Sequence, residues 1–322
     1  MLNGKGSWKG TTLDHTLQNP RTILTCFAGR RQFMEVQLKY VLKLLDRYEW
    51  LERYDVWNFA WDEEDRRWLE TLPDLHPKIR VCHAPAEGEA ARAGDLASKQ
   101  FAHFFTDAYP AREYRDAVFV KMDDDTPYID VNNFGNFIAI RAAFPQYFLV
   151  SADVTNNDLR VEDPTKSHEK LLATLEGQGQ TGPVYGQVYS NTLRLSINFV
   201  SWLGTDLPFI RDEFSNGIGS DDEWRMCHSI ASRLRRENLI VKGYNAAHLC
   251  FFQQLSEPGY DVGGTLRRYA AIADGTDIHP GAWAGFEALD LTIPEKVVRK
   301  RKRVRPKKYL RRKVGKILKS FS

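Results

Sequence analysis

From residue 22 an apolar run of strand length, a short turn and a helix-spaced apolar face follow one another, and the unit then recurs. Thr22 to Phe27 (TILTCF) reads as a buried strand and Ala28-Gly29-Arg30 as the turn after it. Met34, Leu38, Val41, Leu42 and Leu45 then share one helical face, with Arg31, Lys39, Lys43 and Arg47 mostly off it. Tyr54 to Phe59 is strand-like, Glu63 to Leu72 helical, Ile79 to Cys82 a short strand, Gly94 to Ala108 helical, and Ala117 to Met122 another apolar strand. Alternating β and α elements with near-continuous apolar strands predict an α/β fold, a Rossmann-like and mostly parallel sheet flanked by helices. In such sheets ligands sit outside the carboxyl ends of the strands.

The second half is less regular. Gln146 to Val154 reads as a strand running into a polar loop, Asn191 to Trp202 as a strand region, Asp221 to Arg236 as a helix and Leu239 to Val241 as a strand. Residues 1–20 are Gly/Thr/Asn-rich and predict a loose lead-in. One domain is expected over 21–295, its halves meeting near residue 150, with a basic tail over 296–322. Residues 256–295 carry no recognisable motif.

Mean hydropathy is −0.46, and no apolar run approaches the roughly 18 residues that span a bilayer. The opening Met1-Leu2-Asn3-Gly4-Lys5-Gly6 leads into no signal-peptide core. Integral-membrane and secreted readings are therefore not expected. Cys26, Cys82, Cys227 and Cys250 are far apart and form no C-x-x-C pair, which suits neither a zinc knuckle nor a disulfide framework and fits a reducing cytoplasm.

Directly after the fourth strand-like segment stands Asp123-Asp124-Asp125-Thr126-Pro127. Three adjacent carboxylates repel one another at neutral pH and, at the end of a strand, call for a compensating cation. Magnesium or manganese takes one or two carboxylates and leaves positions for water and phosphate, so two aspartates two residues apart suit a metal–diphosphate site. The competing reading is that Asp125 caps a short helix, with Thr126 and Pro127 in its first turn.

The segment Val118-Phe119-Val120-Lys121-Met122-Asp123-Asp124-Asp125 resembles the strand and D-x-D loop of GT-A-type nucleotide-sugar glycosyltransferases. Phe27-Ala28-Gly29-Arg30-Arg31, Val150 to Asn157, Ser196 to Trp202, Ser220-Asp221-Asp222-Glu223 and His248-Leu249-Cys250-Phe251-Phe252 are similar to segments of bacterial and viral glycosyltransferases of that fold, over residues 20 to 255. The resemblance implies that Asp123 and Asp125 hold a divalent metal and the donor's ribose or diphosphate, with Asp124 beside them. It also implies that a late histidine, His248, completes the metal shell; the competing reading is a packed histidine beside Phe251 and Phe252.

Gly29, Arg30 and Arg31 open a helix, where backbone N–H groups and guanidinium groups can receive phosphate or a uracil edge; otherwise they are a turn with solvated arginines. Asp55 and Asn58, at the end of the second strand, are candidates to touch ribose or base. Asp221, Asp222 and Glu223 resemble the acidic segment that supplies the general base in inverting GT-A enzymes, with Asp222 the expected base. Ser220 and Glu223 also spell an S-x-x-E capping box, a role that can coexist with catalysis. Trp202, Trp224 and Trp283 are candidates for stacking on an acceptor sugar, although Trp224 lies at core spacing with Cys227, Ile230 and Leu234 and is expected to be buried.

Residues 296–322 carry 14 Lys and Arg and no acid. The 45 basic residues less these 14 stand against 42 acidic ones, so the body has a balance of −11. Leu310, Val314, Ile317, Leu318 and Phe321 form one apolar stripe among the basic residues after Pro306, the pattern of an amphipathic helix lying on an anionic membrane. At about 1 kcal/mol per basic residue, even a discounted total supports reversible docking. Basic runs also bind nucleic acid, but the acidic body argues against that partner. A solvated tail without a partner is the third reading.

Together these features lead to an expected cytoplasmic enzyme, peripheral on the inner membrane face. It would transfer a hexose-like sugar from a nucleotide donor, expected to be UDP-linked, to a hydroxyl of a glycan or lipid-linked acceptor in cell-surface polysaccharide or glycolipid synthesis. Residues 21–150 would be the nucleotide-binding half and 151–295 the acceptor half. The alternatives are a sugar-phosphate nucleotidyltransferase, for which the turn after the first strand is poor in glycine, and a non-enzymatic protein acting through its tail.

Overall fold

The computed structural model describes residues 20–60, 62–83, 103–156, 164–178, 184–215, 222–249 and 260–275. Strand β1 (Thr22–Ala28) is followed by helix α1 (Arg31–Arg47), β2 (Leu51–Asn58), α2 (Glu63–Glu70), β3 (Ile79–Cys82) and β4 (Val118–Asp123). The chain continues through β5 (Tyr128–Ile129), α3 (Phe134–Ala143), β6 (Val150–Thr155), α4 (Pro164–Gln178), β7 (Tyr185–Tyr189), β8 (Phe199–Leu203) and α5 (Leu207–Ser215). A composite helix α6 joins Asp222–Trp224, the π-helical Arg225–Ile230 and Ala231–Arg233; β9 (Asn238–Ala247) and α7 (Val262–Gly275) close the described chain.

The strands form one nine-stranded sheet in the order β3-β2-β1-β4-β8-β6-β9-β5, with β7 on β9. β1 to β4, β6 and β9 run one way and β5, β7 and β8 the other, so the sheet is mostly parallel, as expected of an α/β fold. Its opening order, 3-2-1-4, is that of the first half of doubly wound nucleotide-binding sheets.

Alternation along the strands divides the core between two faces. Leu24, Cys26, Val120 and Met122 pack with α1 and α3; Ile23, Phe119, Val200 and Trp202 pack with Ile210 and Phe214 of α5 and Met226, Cys227 and Ile230 of α6. By the same alternation Lys121 and Asp123 lie on the α5/α6 face.

Several elements differ from expectation for local reasons. The alternation over 191–198 imitates a strand, yet β8 begins only at Phe199. Its partner β4 ends there, and the ladder closes with a single bond from Asp123 N–H to Asn198 O, 2.9 Å. β9 is longer than Leu239 to Val241 because the strand continues through a bulge at Lys242-Gly243-Tyr244. Gly243 adopts φ 81°, and the register jumps from Ala152 opposite Val241 to Asp153 opposite Asn245. Helix α3 carries no legible stripe because Phe134, Phe137, Ile138, Ala139, Ile140 and Ala142 bury it on all sides.

Of the helix expected over Gly94 to Ala108, only 103–106 falls among the described residues as helix. Residues 1–19 of the lead-in, Asp221, Trp283 and the basic tail lie outside the described residues. No helix among the described residues is long and apolar enough to cross a membrane.

Candidate functional site

In the 3-2-1-4 arrangement the connection leaving β1 crosses to β2 on one side, while β4 lies on the other. The crevice where ligands bind in such sheets therefore opens at the carboxyl ends of β1 and β4. Gly29-Arg30 and Asp123-Asp124-Asp125 meet there.

Helix α1 has no acid in its first turn and no capping side chain of its own. Asp124 supplies one from the loop after β4: one carboxylate oxygen accepts the N–H groups of Gly29 and Arg30, both at 2.8 Å. The other oxygen accepts the Arg30 guanidinium, with Nε at 2.9 Å. Burial pushes the Asp124 carboxyl up, and Arg30 opposes the push without cancelling it. From beneath, Gln37 of α1 donates to the carbonyls of Asp123 (2.7 Å) and Thr126 (3.3 Å) and accepts the Tyr54 hydroxyl (2.8 Å). Leu249 N–H donates to the Asp125 carbonyl at 2.9 Å. The acidic loop is thus held by β1, α1 and the segment after β9.

With its backbone fixed, the loop presents two carboxylates to His248. One ligand atom each from Asp123, Asp125 and His248 lie within 4.8 Å of one another. Asp125 is 2% exposed. Its Oδ2 meets His248 Nε2 at 3.1 Å and Arg30 Nη1 at 3.0 Å, while its Oδ1 is buried and has no hydrogen-bond partner. Burial works to raise the Asp125 carboxyl, but His248 and Arg30 outweigh it and hold the carboxyl below its ordinary value. His248 is reciprocally raised: burial pulls it down, and Asp125 overcomes the pull.

His248 Nδ1 lies 3.2 Å from the carbonyl of Asn156, which adopts the left-handed φ of 60°. With the Nδ1 proton donated there, His248 donates its Nε2–H to Asp125 in the pair, and loss of that proton leaves an Nε2 lone pair for a cation, the orientation that outer-shell carbonyls give metal-ligating histidines. The orphaned carboxylate oxygen, the fixed tautomer and the hard-oxygen-plus-imidazole donor set fit a divalent cation. Asp123, Asp125 and His248 can hold one.

On the α5/α6 face, Lys121 is 3% exposed, pairs with the Asp123 carboxylate and donates to Ile197 O at 3.1 Å. Its charge also acts on Asp222, the first described residue of α6. Burial pushes the Asp222 carboxyl above the usual range; Lys121 opposes this and Asp123 adds to it. Glu223 points elsewhere, to Arg194 and Ser196.

The structure therefore gathers Gly29, Arg30, Asp123, Asp124, Asp125, His248 and Asp222 at one end of the sheet. It does not bring Arg31 or Asn58 into that group. Arg31 pairs with Glu35 (2.8 Å) and Glu64 (3.6 Å) on the outer surface of α1, over the Trp68 ring. Asn58 spends its amide on Arg66 O (3.2 Å), Glu70 (2.8 Å) and Ala60 N–H (3.2 Å). Asp55 is fully buried among Arg53, Arg80 and the Tyr109 hydroxyl.

The tryptophans exchange their expected roles. Trp202 is 1% exposed and stacks on Phe119 in the core, centroids 5.7 Å apart. Trp224, expected to be buried, is 39% exposed and lies against His228. The π-helical stretch from Arg225 shifts the helix phase, so Cys227 and Ile230 face inward while Trp224 does not.

Lys121, Gln37 and Asn156 escaped the reading of the sequence. Two had a signal: Lys121 interrupts an apolar strand, and Gln37 interrupts the apolar face of α1.

No protein-family model and no curated protein matches the chain. Among solved structures it is similar to 4-diphosphocytidyl-2C-methyl-D-erythritol synthase, at 12% identity over 78% of this chain and 99% of that one, with a TM-score of 0.43. It is also similar to the galactosyltransferase LgtC in complex with donor and acceptor sugar analogs, at 11% identity over 81% of this chain and 98% of that one, with a TM-score of 0.39. At these identities and scores neither likeness assigns a substrate or a reaction to this chain.

Proposed function

We propose that the chain is a metal-dependent glycosyltransferase that moves a sugar from a nucleotide-sugar donor, UDP-linked in the simplest case, to a hydroxyl acceptor. The observation that carries this reading is the buried Asp123/Asp125/His248 group at the strand-end crevice, with one Asp125 oxygen left without a partner. Manganese or magnesium held by these three residues would offset the charge that develops on the departing nucleoside diphosphate.

The chain's own groups have separable tasks. Arg30, 43% exposed at its side chain and resting on Asp124 and Asp125, is placed to turn to a phosphate oxygen when a diphosphate enters. Asp222, whose carboxyl burial pushes up, is the candidate to accept the proton of the acceptor hydroxyl as that oxygen attacks the anomeric carbon opposite the leaving group. A base on that side corresponds to inversion of configuration. The tail of 296–322 would bring this site to an anionic membrane carrying a glycan or lipid-linked acceptor. On deletion of the tail, vesicle pelleting is lost and sugar transfer is kept.

The test is product identity on incubating the full chain with manganese and a panel of nucleotide sugars. Release of nucleoside diphosphate, by transfer or slow donor hydrolysis, supports the reading. Formation of nucleotide sugar and pyrophosphate from a nucleoside triphosphate and a sugar phosphate would replace it with nucleotidyl transfer.

A further inference from the structure

Lys121 stands at an improbable place for a lysine. It is the fourth residue of a strand whose other members are apolar up to the terminal Asp123, and it is 3% exposed. A buried ammonium is costly unless paired and hydrogen-bonded. Here the compensation comes from three sides. The Asp123 carboxylate pairs with Nζ, the Ile197 carbonyl accepts from it at 3.1 Å, and the Phe27 ring lies beneath it with its centroid 5.3 Å away.

The alternation of β4 explains the company Lys121 keeps. Residues 121 and 123 point to the same face, the one on which α6 packs through Met226, Cys227 and Ile230, so the lysine has the first carboxylate of the acidic loop beside it and the helix that begins at Asp222 over its face. Its charge acts on Asp222 as well as on Asp123. One buried cation, paired with a candidate metal ligand, therefore shares its strand face with the helix that carries the candidate base.

Resting on the transferase reading above, we infer that Lys121 is a positioning residue of the transfer reaction, holding the Asp123 carboxylate and the Asp222 carboxylate at a fixed separation across the site. Its pairing with Asp123 turns one oxygen of that carboxylate inward and leaves the other for the cation. Its charge attracts Asp222 across that face and opposes the repulsion between the two acids. The hydrogen bond to Ile197 fixes the ammonium itself, so the arrangement does not depend on a mobile side chain.

The consequence differs from that of a merely structural lysine. In Lys121→Met the site becomes more negative, so manganese binds at least as tightly as in the wild type. The two carboxylates drift apart, and kcat for transfer falls about 100-fold, the scale of lost catalytic positioning, with the donor KM changed less than about tenfold. Lys121→Arg keeps the charge and recovers at least about a tenth of wild-type kcat. A general packing defect would weaken manganese binding, donor KM and kcat together. That pattern overturns the inference, as does wild-type kcat in a folded Lys121→Met.

A second measurement needs no Lys121 variant. The side-chain ammonium 15N and 1H resonances of Lys121 in the full chain are expected to shift on Asp222→Asn and on Asp123→Asn. Resonances that ignore Asp222→Asn overturn the link between the two carboxylates. Wild-type protein that binds no nucleotide sugar would sink the transferase reading, yet the resonance experiment would still report on the link itself.

Discussion

His168 in α4 is 1% exposed, with Nδ1 at 2.9 Å from the Tyr269 hydroxyl and Nε2 at 3.0 Å from the Leu249 carbonyl. A neutral imidazole protonated on Nε2 makes both bonds: it donates to Leu249 O and accepts from Tyr269. Burial pushes its pKa from 6.5 down to about 4. The folded chain thus refuses a proton that the unfolded chain takes up below pH 6.5. The associated stability is complete above 6.5 and drains as the pH falls toward 4. The difference of two to three pKa units corresponds to about 3 kcal/mol in full, of which about 2 kcal/mol is gone by about pH 5.

Urea unfolding of wild type and His168→Gln in EDTA, followed from pH 8 to about pH 4, reads this directly. At pH 8 the variant is less stable by about 1 kcal/mol for each hydrogen bond it fails to remake. On acidification the wild type should lose its advantage and fall below the variant. Parallel pH profiles for the two proteins would refute the claim that His168 is held neutral by burial. The readout bears on the site because Leu249, which His168 holds by its carbonyl, donates its N–H to the Asp125 carbonyl.

Three further outcomes follow from packing and charge. A Cβ on Gly204 would stand 1.7 Å from the Tyr114 carbonyl oxygen, so Gly204→Ala should destabilise the fold by at least about 2 kcal/mol in urea titrations. Trp202→Ala should cost about 3–5 kcal/mol, while Trp224→Ala should stay within about 1 kcal/mol; equal costs would contradict the phase shift at the π-helical turn. Arg30→Ala removes the guanidinium from Asp124 and Asp125 and should lower stability by about 1–3 kcal/mol while raising the affinity for free manganese, since the cation no longer displaces an arginine. Weaker manganese binding in that variant would count against the competition.

The fold was legible where one face of an element is apolar. The β1 to β4 half, with α1, is close to what strand-length runs and helical stripes predict, because each element buries one stripe or both strand faces. Legibility failed for physical reasons elsewhere. Helix α3 is buried all round, β9 runs on past Val241 through a bulge at Gly243, and the π-helical stretch breaks the 3.6-residue period on which the expectation for Trp224 rested.

At the site, the acidic triplet could be picked out because adjacent carboxylates at the end of an apolar strand call for a cation, whereas His248 came only with the resemblance to the D-x-D glycosyltransferases. The roles within the cluster could not be read in sequence. Asp124 faces back to cap α1, and Asp125 faces His248, a difference set by loop geometry rather than by residue type. Asn58 and Asp55 looked available on a strand, but partners from α2, β3 and Tyr109 take up their polar atoms.

The central claim is that Asp123, Asp125 and His248 make a cation-dependent nucleotide-sugar site, and calorimetric titration of a nucleotide-sugar panel into the full chain tests it most directly. Each donor would be titrated with manganese and with EDTA, on wild type and on Asp125→Asn. The account predicts that one donor binds with manganese, that binding is lost in EDTA, and that Asp125→Asn weakens it by more than the about 10–100-fold that loss of an outer-shell metal partner costs. Binding that is indifferent to manganese and to Asp125→Asn, or no binding of any donor with the metal present, would contradict it.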